Sequence, residues 1–191
     1  MAKKNNYIYK DIEYDSKEEI EFKIFLEEAQ SFNIIQDYIY QPPTYELIPK
    51  ATYVDNKGKI RTLFRAHNYT ADWLIYPTEL FDKLNHGLKK NSDGTYLIDI
   101  KGMFNKNGGD RIFPIHQKLL YDKYKIIVNK VVPEVFFKQA NIAPEGLSWN
   151  KNIKKEKTLK KSFIGLNSFE EFLAQSDNNL GKQINIGFLG K

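Results

Sequence analysis

Phe22, Phe25, Leu26 and Ala29 fall at i, i+3, i+4 and i+7, one apolar stripe of a helix, and Ile20 and Ile24 widen it. The spacing predicts a helix from Ser16 to about Ser31. The pattern then changes period. Tyr38 to Pro49 reads as extended chain whose prolines suit an edge or bent strand. Asp55-Asn-Lys-Gly58 is a hairpin turn signal, with Lys59–Phe64 returning as a strand. His67–Tyr76 is the next expected strand, Thr78–Lys90 a short helical excursion, and Thr95–Lys101 a further strand. Gly102–Asp110 is a glycine-rich loop. Phe113–Tyr124 is a helix with Ile115, Leu119 and Leu120 expected inward, and Lys125–Val132 is expected to be the last core strand. This order predicts an α/β protein, a mixed central sheet flanked by helices. Beyond Pro133 the pattern loosens, and a helix starting at Ser168, with a capping-box spacing to Glu171, is expected within a C-terminal extension. The expected division is a core over 1–133 and an extension over 134–191.

Polar residues that interrupt the apolar runs carry the chemistry. In Tyr96-Leu-Ile-Asp99-Ile-Lys101-Gly102, strand alternation puts Asp99 and Lys101 on one face and Ile98 and Ile100 on the other. A carboxylate and an ammonium are thereby fixed at the end of a buried strand, where charge is expensive unless it pairs or binds a metal. A second acid, Asp72, precedes the apolar segment Trp73-Leu-Ile-Tyr76. Two carboxylates can hold a hard divalent cation, and a lysine beside them can steady a water or an oxyanion. The arrangement suits phosphodiester hydrolysis. Mg²⁺ fits such an all-oxygen site, which keeps several waters, with the Ile100 carbonyl as a further ligand.

Composition narrows the classes. The chain has 191 residues and no cysteine, so it has no disulfide, thiolate metal site or cysteine nucleophile. The first residues, Met-Ala-Lys-Lys-Asn-Asn, lack the apolar core of a signal peptide, and no apolar run approaches membrane-spanning length. A cytoplasmic protein without a membrane partner is expected. Residues 11–28 hold eight acids and two lysines, a net of −6, which leaves +11 for the rest of a chain whose net charge is +5. A basic body favours polyanions such as DNA. Lys151, Lys154 and Lys155 begin a run to Lys161 with six lysines and one glutamate, which suits a phosphate backbone or a solvated linker equally.

Four blocks occur in order: Tyr14-Asp-Ser-Lys-Glu-Glu19, Gln41-Pro-Pro-Thr-Tyr-Glu-Leu-Ile-Pro49, Tyr69-Thr-Ala-Asp72-Trp and Ile98-Asp-Ile-Lys-Gly102. In this order they resemble a family of small bacteriophage nucleases in the PD-(D/E)XK, restriction-endonuclease-like superfamily. The resemblance covers roughly residues 7–132. Ala71 stands where the motif name has proline, and the segment after Pro133 has no counterpart. The resemblance implies a restriction-endonuclease-like core and a DNA endonuclease using Mg²⁺, with Mn²⁺ as substitute, in the cytoplasm of a phage-infected bacterium. Asp72 and Asp99 match the metal-binding acids, Lys101 the catalytic lysine, Glu19 the acid on the first helix and Lys118 a basic residue on the helix after the catalytic strand. Gln117 beside it is a further DNA-binding candidate. The relatives suggest branched recombination or replication intermediates as substrate and a 5′ phosphate on the product. A junction resolvase would need a homodimer.

Plainer readings accompany these. Ser16-Lys-Glu-Glu19 has the spacing of a capping box, in which Glu19 serves the helix start. His67 and His116 lack metal-ligand spacing and read as structural or surface residues, and Tyr38, Tyr40 and Tyr45 as packing residues. The competing functions are a non-catalytic DNA-binding or assembly module on the same fold, and a sequence-specific restriction-type endonuclease.

Overall fold

A computed structural model describes residues 7–84, 86–102, 111–148, 163 and 165–176. The described chain forms two compact units, each interleaved in sequence. One takes the described residues of Met1–Gln36, Thr78–Gly87 and Val132–Lys191, the other those of Asp37–Pro77 and Leu88–Val131.

The first unit opens with a hairpin, β1 (Tyr7–Tyr9) and β2 (Ile12–Tyr14), and helix α1 (Lys17–Ser31). The stripe Phe22, Phe25, Leu26, Ala29 is fully buried, as its period predicts. The loosened pattern after Pro133 hides a helix, α4 (Pro133–Ala140), with proline in its first turn, where the missing N–H is not needed. Phe136 and Phe137 of α4 lie 5.1 and 5.5 Å, ring to ring, from Phe25. Phe169, which opens a helix over 169–176, lies 5.4 Å from the same ring, and Phe163 packs on Phe137. Part of the expected C-terminal extension thus belongs with the N-terminal helix in one apolar core. Glu28 ties a 3₁₀ turn (Glu145–Ser148) to α1, accepting from the Glu145 and Gly146 amides at 2.8 and 2.5 Å. A Cβ on Gly146 would stand 2.7 Å from Ile24 Cγ2, so this close approach requires glycine. The expected helical excursion over Thr78–Lys90 is only α2 (Glu79–Lys83), capped by Thr78 and ended where Leu84 turns extended.

The second unit is built on a mixed sheet. Its order is β10 (Val128–Val131), β9 (Tyr96–Ile100), β8 (Trp73–Pro77), β3 (Ile35–Tyr40), the last strand entering from the first unit. β9 runs parallel to β10 and antiparallel to β8. The protein is therefore mixed α/β, as expected. All five residues of β9 are buried, so both faces are covered. Helix α3 (Phe113–Tyr124) packs Phe113 and Leu120 against Leu97, Val128 and Tyr69. Ile115, expected inward, is 54 % exposed, because the face of α3 turned to the sheet carries Phe113, His116, Gln117 and Leu120 instead. Tyr38 and Tyr40 pack on Trp73 at 5.8 and 4.7 Å.

The expected strand over His67–Tyr76 is broken in two. β7 (His67–Tyr69) pairs with β4 (Tyr45–Ile48), whereas β8 pairs with β9. Between β4 and β7 the chain makes a further hairpin, β5 (Ala51–Val54) and β6 (Ile60–Phe64), around the expected Asp55–Gly58 turn. The break at Thr70-Ala71-Asp72 is a change of pairing partner, which hydrophobic alternation does not register, and it puts Asp72 at the switch.

Candidate active site

The register of the sheet sets the site. Trp73 pairs with Ile98 and Leu74 with Leu97, so Asp72, one residue before β8, comes opposite Asp99. The Asp72 amide donates to the Ile98 carbonyl at 3.0 Å. Its carboxylate oxygen Oδ2 accepts from the Ile100 amide at 2.5 Å, closing the ladder where β9 ends. Two acids thus stand on adjacent strand ends, on the face that also carries Leu74 and Leu97 towards α3.

Asp99 is 5 % exposed, and side chains meet its charge. The Tyr69 hydroxyl donates to Oδ2 at 2.7 Å, and the Lys101 ammonium holds Oδ1. Burial, reinforced by the Asp99 charge, pushes the Tyr69 hydroxyl far above the usual phenol range, so it stays a proton donor. The Lys101 backbone is held by its amide, which donates to the Val131 carbonyl at 2.8 Å, and its ammonium lies 5.7 Å from the Phe113 ring centre. No family model, curated protein or solved structure matches the chain.

The sheet register brings Asp72 opposite Asp99, next to Ile100 and Lys101, whereas only the alternation of Asp99 and Lys101 follows from spacing. The donor set fits a hard cation: two carboxylates and the Ile100 carbonyl, all oxygen. Among the described residues no group of three or more His, Asp or Glu side chains is gathered to hold a metal. The Lys101 ammonium is the positive charge that faces Asp99.

Glu19 lies in the other compact unit. It is 5 % exposed and serves the start of α1. Its amide donates to Ser16 Oγ at 3.2 Å, Ser16 Oγ donates to Glu19 Oε1 at 2.9 Å, and the Asp15 amide approaches Oε2 at 3.4 Å. Half of the expected capping box is formed, the bond from the Glu19 amide to Ser16 Oγ, while the Glu19 carboxylate meets the Ser16 hydroxyl and the Asp15 amide. Gln117 donates its amide to the Val128 carbonyl at 3.0 Å, which pins α3 to β10. Lys118 is exposed on the opposite side of α3 from Phe113 and Leu120, and the helix does not turn it towards the two acids. Lys151, Lys154 and Lys155 lie outside the described residues.

Three participants escape a reading of spacing. Tyr69 orients Asp99, and its place three residues before Asp72 is the only trace in the sequence. Lys130 stands beside Asp99 in the parallel ladder, on the same face, which no pattern in one strand discloses. His116 packs on Tyr69 at 5.0 Å, and its Nε2 shares a 2.9 Å hydrogen bond with Nε2 of His67. Burial, with His67 beside it, holds the His116 imidazole below its ordinary value, hence neutral at neutral pH. Both histidines read as structural or surface residues. Here they form the next layer around Tyr69.

Proposed function

We propose that this protein is a metal-dependent deoxyribonuclease with a restriction-endonuclease-like core, acting on branched recombination or replication intermediates of a bacteriophage. The observation that carries the reading is the juxtaposition of Asp72 and Asp99 on paired strand ends, with Lys101 on Asp99. A DNA-binding module gains nothing from acids gathered where phosphates must approach.

Asp72, Asp99 and the Ile100 carbonyl are the residues that would hold Mg²⁺. Bound there, the ion supplies polarisation of the phosphoryl oxygen and a nucleophilic water at neutral pH. The chain's own residues do the rest. Tyr69 holds the Asp99 carboxylate in one orientation. The backbone bond from Ile100 fixes one oxygen of Asp72 at the end of the ladder. Lys101 moves from Asp99 to the scissile phosphate, where its ammonium orients the attacking water and meets charge developing on the phosphoryl oxygens. Its tether to Val131 keeps the backbone still while the side chain moves. The product carries a 5′ phosphate.

The second reading, a non-catalytic DNA-binding or assembly module, is favoured by one observation: Tyr69 and Lys101 between them already satisfy Asp99. Incubation with duplex, single-stranded, flap and four-way-junction DNA, in Mg²⁺, Mn²⁺ or EDTA, separates the two. Cleavage of at least one substrate with metal and none in EDTA supports the nuclease. Binding without cleavage by the wild type supports the module.

A further inference from the structure

The β5–β6 hairpin is unlike the rest of its unit: no residue from Ala51 to Phe64 is buried. Its apolar side chains face solvent, with Ile60 75 %, Val54 66 %, Leu63 64 % and Tyr53 50 % exposed. A two-stranded ribbon with no covered face is marginal in water. This one is braced from within. Asp55 accepts from the Lys57 and Lys59 amides, both at 2.9 Å, and from Arg61 Nε at 2.8 Å. Gly58, at φ +75°, supplies the left-handed turn. The bracing leaves the Lys57 and Lys59 side chains exposed at the tip.

Charge identifies what covers this hairpin. Residues 50–65 hold Lys50, Lys57, Lys59, Arg61 and Arg65 against Asp55 alone. The only acid is bound to Arg61, so the exposed charge is positive throughout. A second copy docking through the same hairpin would bring the same positive charge against it, which opposes a symmetric pairing of hairpins. A polyanion meets no such repulsion. An antiparallel ribbon has the width of the major groove of duplex DNA, and apolar side chains on it can meet thymine methyls and sugars while lysines meet phosphates. The placement also suits a substrate-gripping element. The hairpin is inserted between β4 and β7, the ladder whose Tyr69 holds Asp99.

We infer that the β5–β6 hairpin is a DNA-gripping arm that lies in a groove of duplex DNA, Lys57 and Lys59 on phosphates and Val54 and Ile60 against the groove. The inference rests on the nuclease reading for its substrate and adds the surface that holds it.

Fluorescence anisotropy of a labelled duplex in EDTA tests it, with the full chain and two variants. The first is Lys57→Gln with Lys59→Gln, which leaves every backbone bond to Asp55 in place. The second is Val54→Ser with Ile60→Ser. The charge variant binds more weakly, by a similar factor on every sequence, and its salt dependence becomes shallower by about 1.8, roughly 0.9 for each lost phosphate contact. The apolar variant binds more weakly with the salt dependence unchanged. Unaltered melting curves exclude misfolding as the cause. If the wild type binds and cleaves DNA and both variants match it in affinity and salt dependence, the arm is overturned and the nuclease stands. If the wild type neither binds nor cleaves, the nuclease reading fails and the arm with it. A wild-type dimer that the apolar variant converts to monomer, with DNA affinity unchanged, makes the hairpin a subunit interface and overturns the inference.

Discussion

Asp55 and Asp99 are two carboxylates in one compact unit, each facing a cation a few residues along the chain, yet they are held in opposite ways. Asp55 sits at an exposed turn, bonded to two backbone amides and to Arg61. Asp99 is buried, and its partners are the side chains of Tyr69 and Lys101. A carboxylate tied to backbone amides cannot release them without undoing its turn. A carboxylate held by a lysine can exchange that ammonium for another cation while the strand ladder stays intact. Burial sharpens the difference, since an exposed ion pair is screened and a buried one is not. The same pair of charges is thus a brace in one place and a candidate reactive centre in the other.

Substitution of the two acids breaks the comparison most sharply. Asp72→Ala and Asp99→Ala should each abolish cleavage, losing more than the roughly 100-fold that loss of an outer partner can bring. DNA binding in EDTA should persist or tighten, as like charge near phosphates is removed. Asp55→Ala should leave cleavage of a bound substrate within a few-fold of wild type. Gel assays under single-turnover conditions read all three.

Tyr69→Phe comes next. It keeps the ring and removes the donor to Asp99, so cleavage should fall about 10- to 100-fold, as for other outer partners. Stability should fall by roughly 1.5–3 kcal/mol, the range for a hydrogen bond to a charged group. Denaturant unfolding gives the second number independently of activity.

Glu19→Gln tests whether a capping residue does more than cap. Glutamine retains much of the cap but not the charge. Near-wild-type cleavage leaves Glu19 to the helix start. A large loss of cleavage at an unchanged melting temperature gives it a place around the metal.

The smallest expected effect lies at the hairpin turn. Arg61, with the Lys59 and Lys57 amides, holds the Asp55 carboxyl below its ordinary value. Its contribution to the turn is therefore complete above the unfolded carboxyl value, about pH 4, and is lost as pH falls through the depressed folded value. NMR of the Lys57 and Lys59 amides should show those bonds persisting below pH 4 and opening only under stronger acid.

The alternation of Asp99 and Lys101 along Tyr96–Lys101 and the stripe on α1 were legible because each is a local period backed by burial. Three features were not. The break at Asp72 is a change of partner from β4 to β9, a tertiary event inside what reads as one strand. Ile115 was misplaced because the face of α3 towards the site is partly polar, with His116 and Gln117 on it, so hydrophobicity points away from the true inner face. α4 escaped notice because a run of eight residues beginning with proline shows little more than two turns of periodicity. The pairing of Lys130 with Asp99 rests on a parallel register, which depends on the whole connection between the two strands. The candidate site was thus readable one strand at a time, and its second layer only in three dimensions.

The exchange of Lys101 for a metal at Asp99 is the core of this account, and direct cation binding tests it without reference to any DNA substrate. Titration of Mn²⁺ into the wild type, Asp99→Asn and Asp55→Asn, followed by loss of the free-ion electron paramagnetic resonance signal, is the measurement. The account predicts a site in the wild type that survives Asp55→Asn and is lost in Asp99→Asn. No binding by the wild type, or binding that persists in Asp99→Asn, would contradict it.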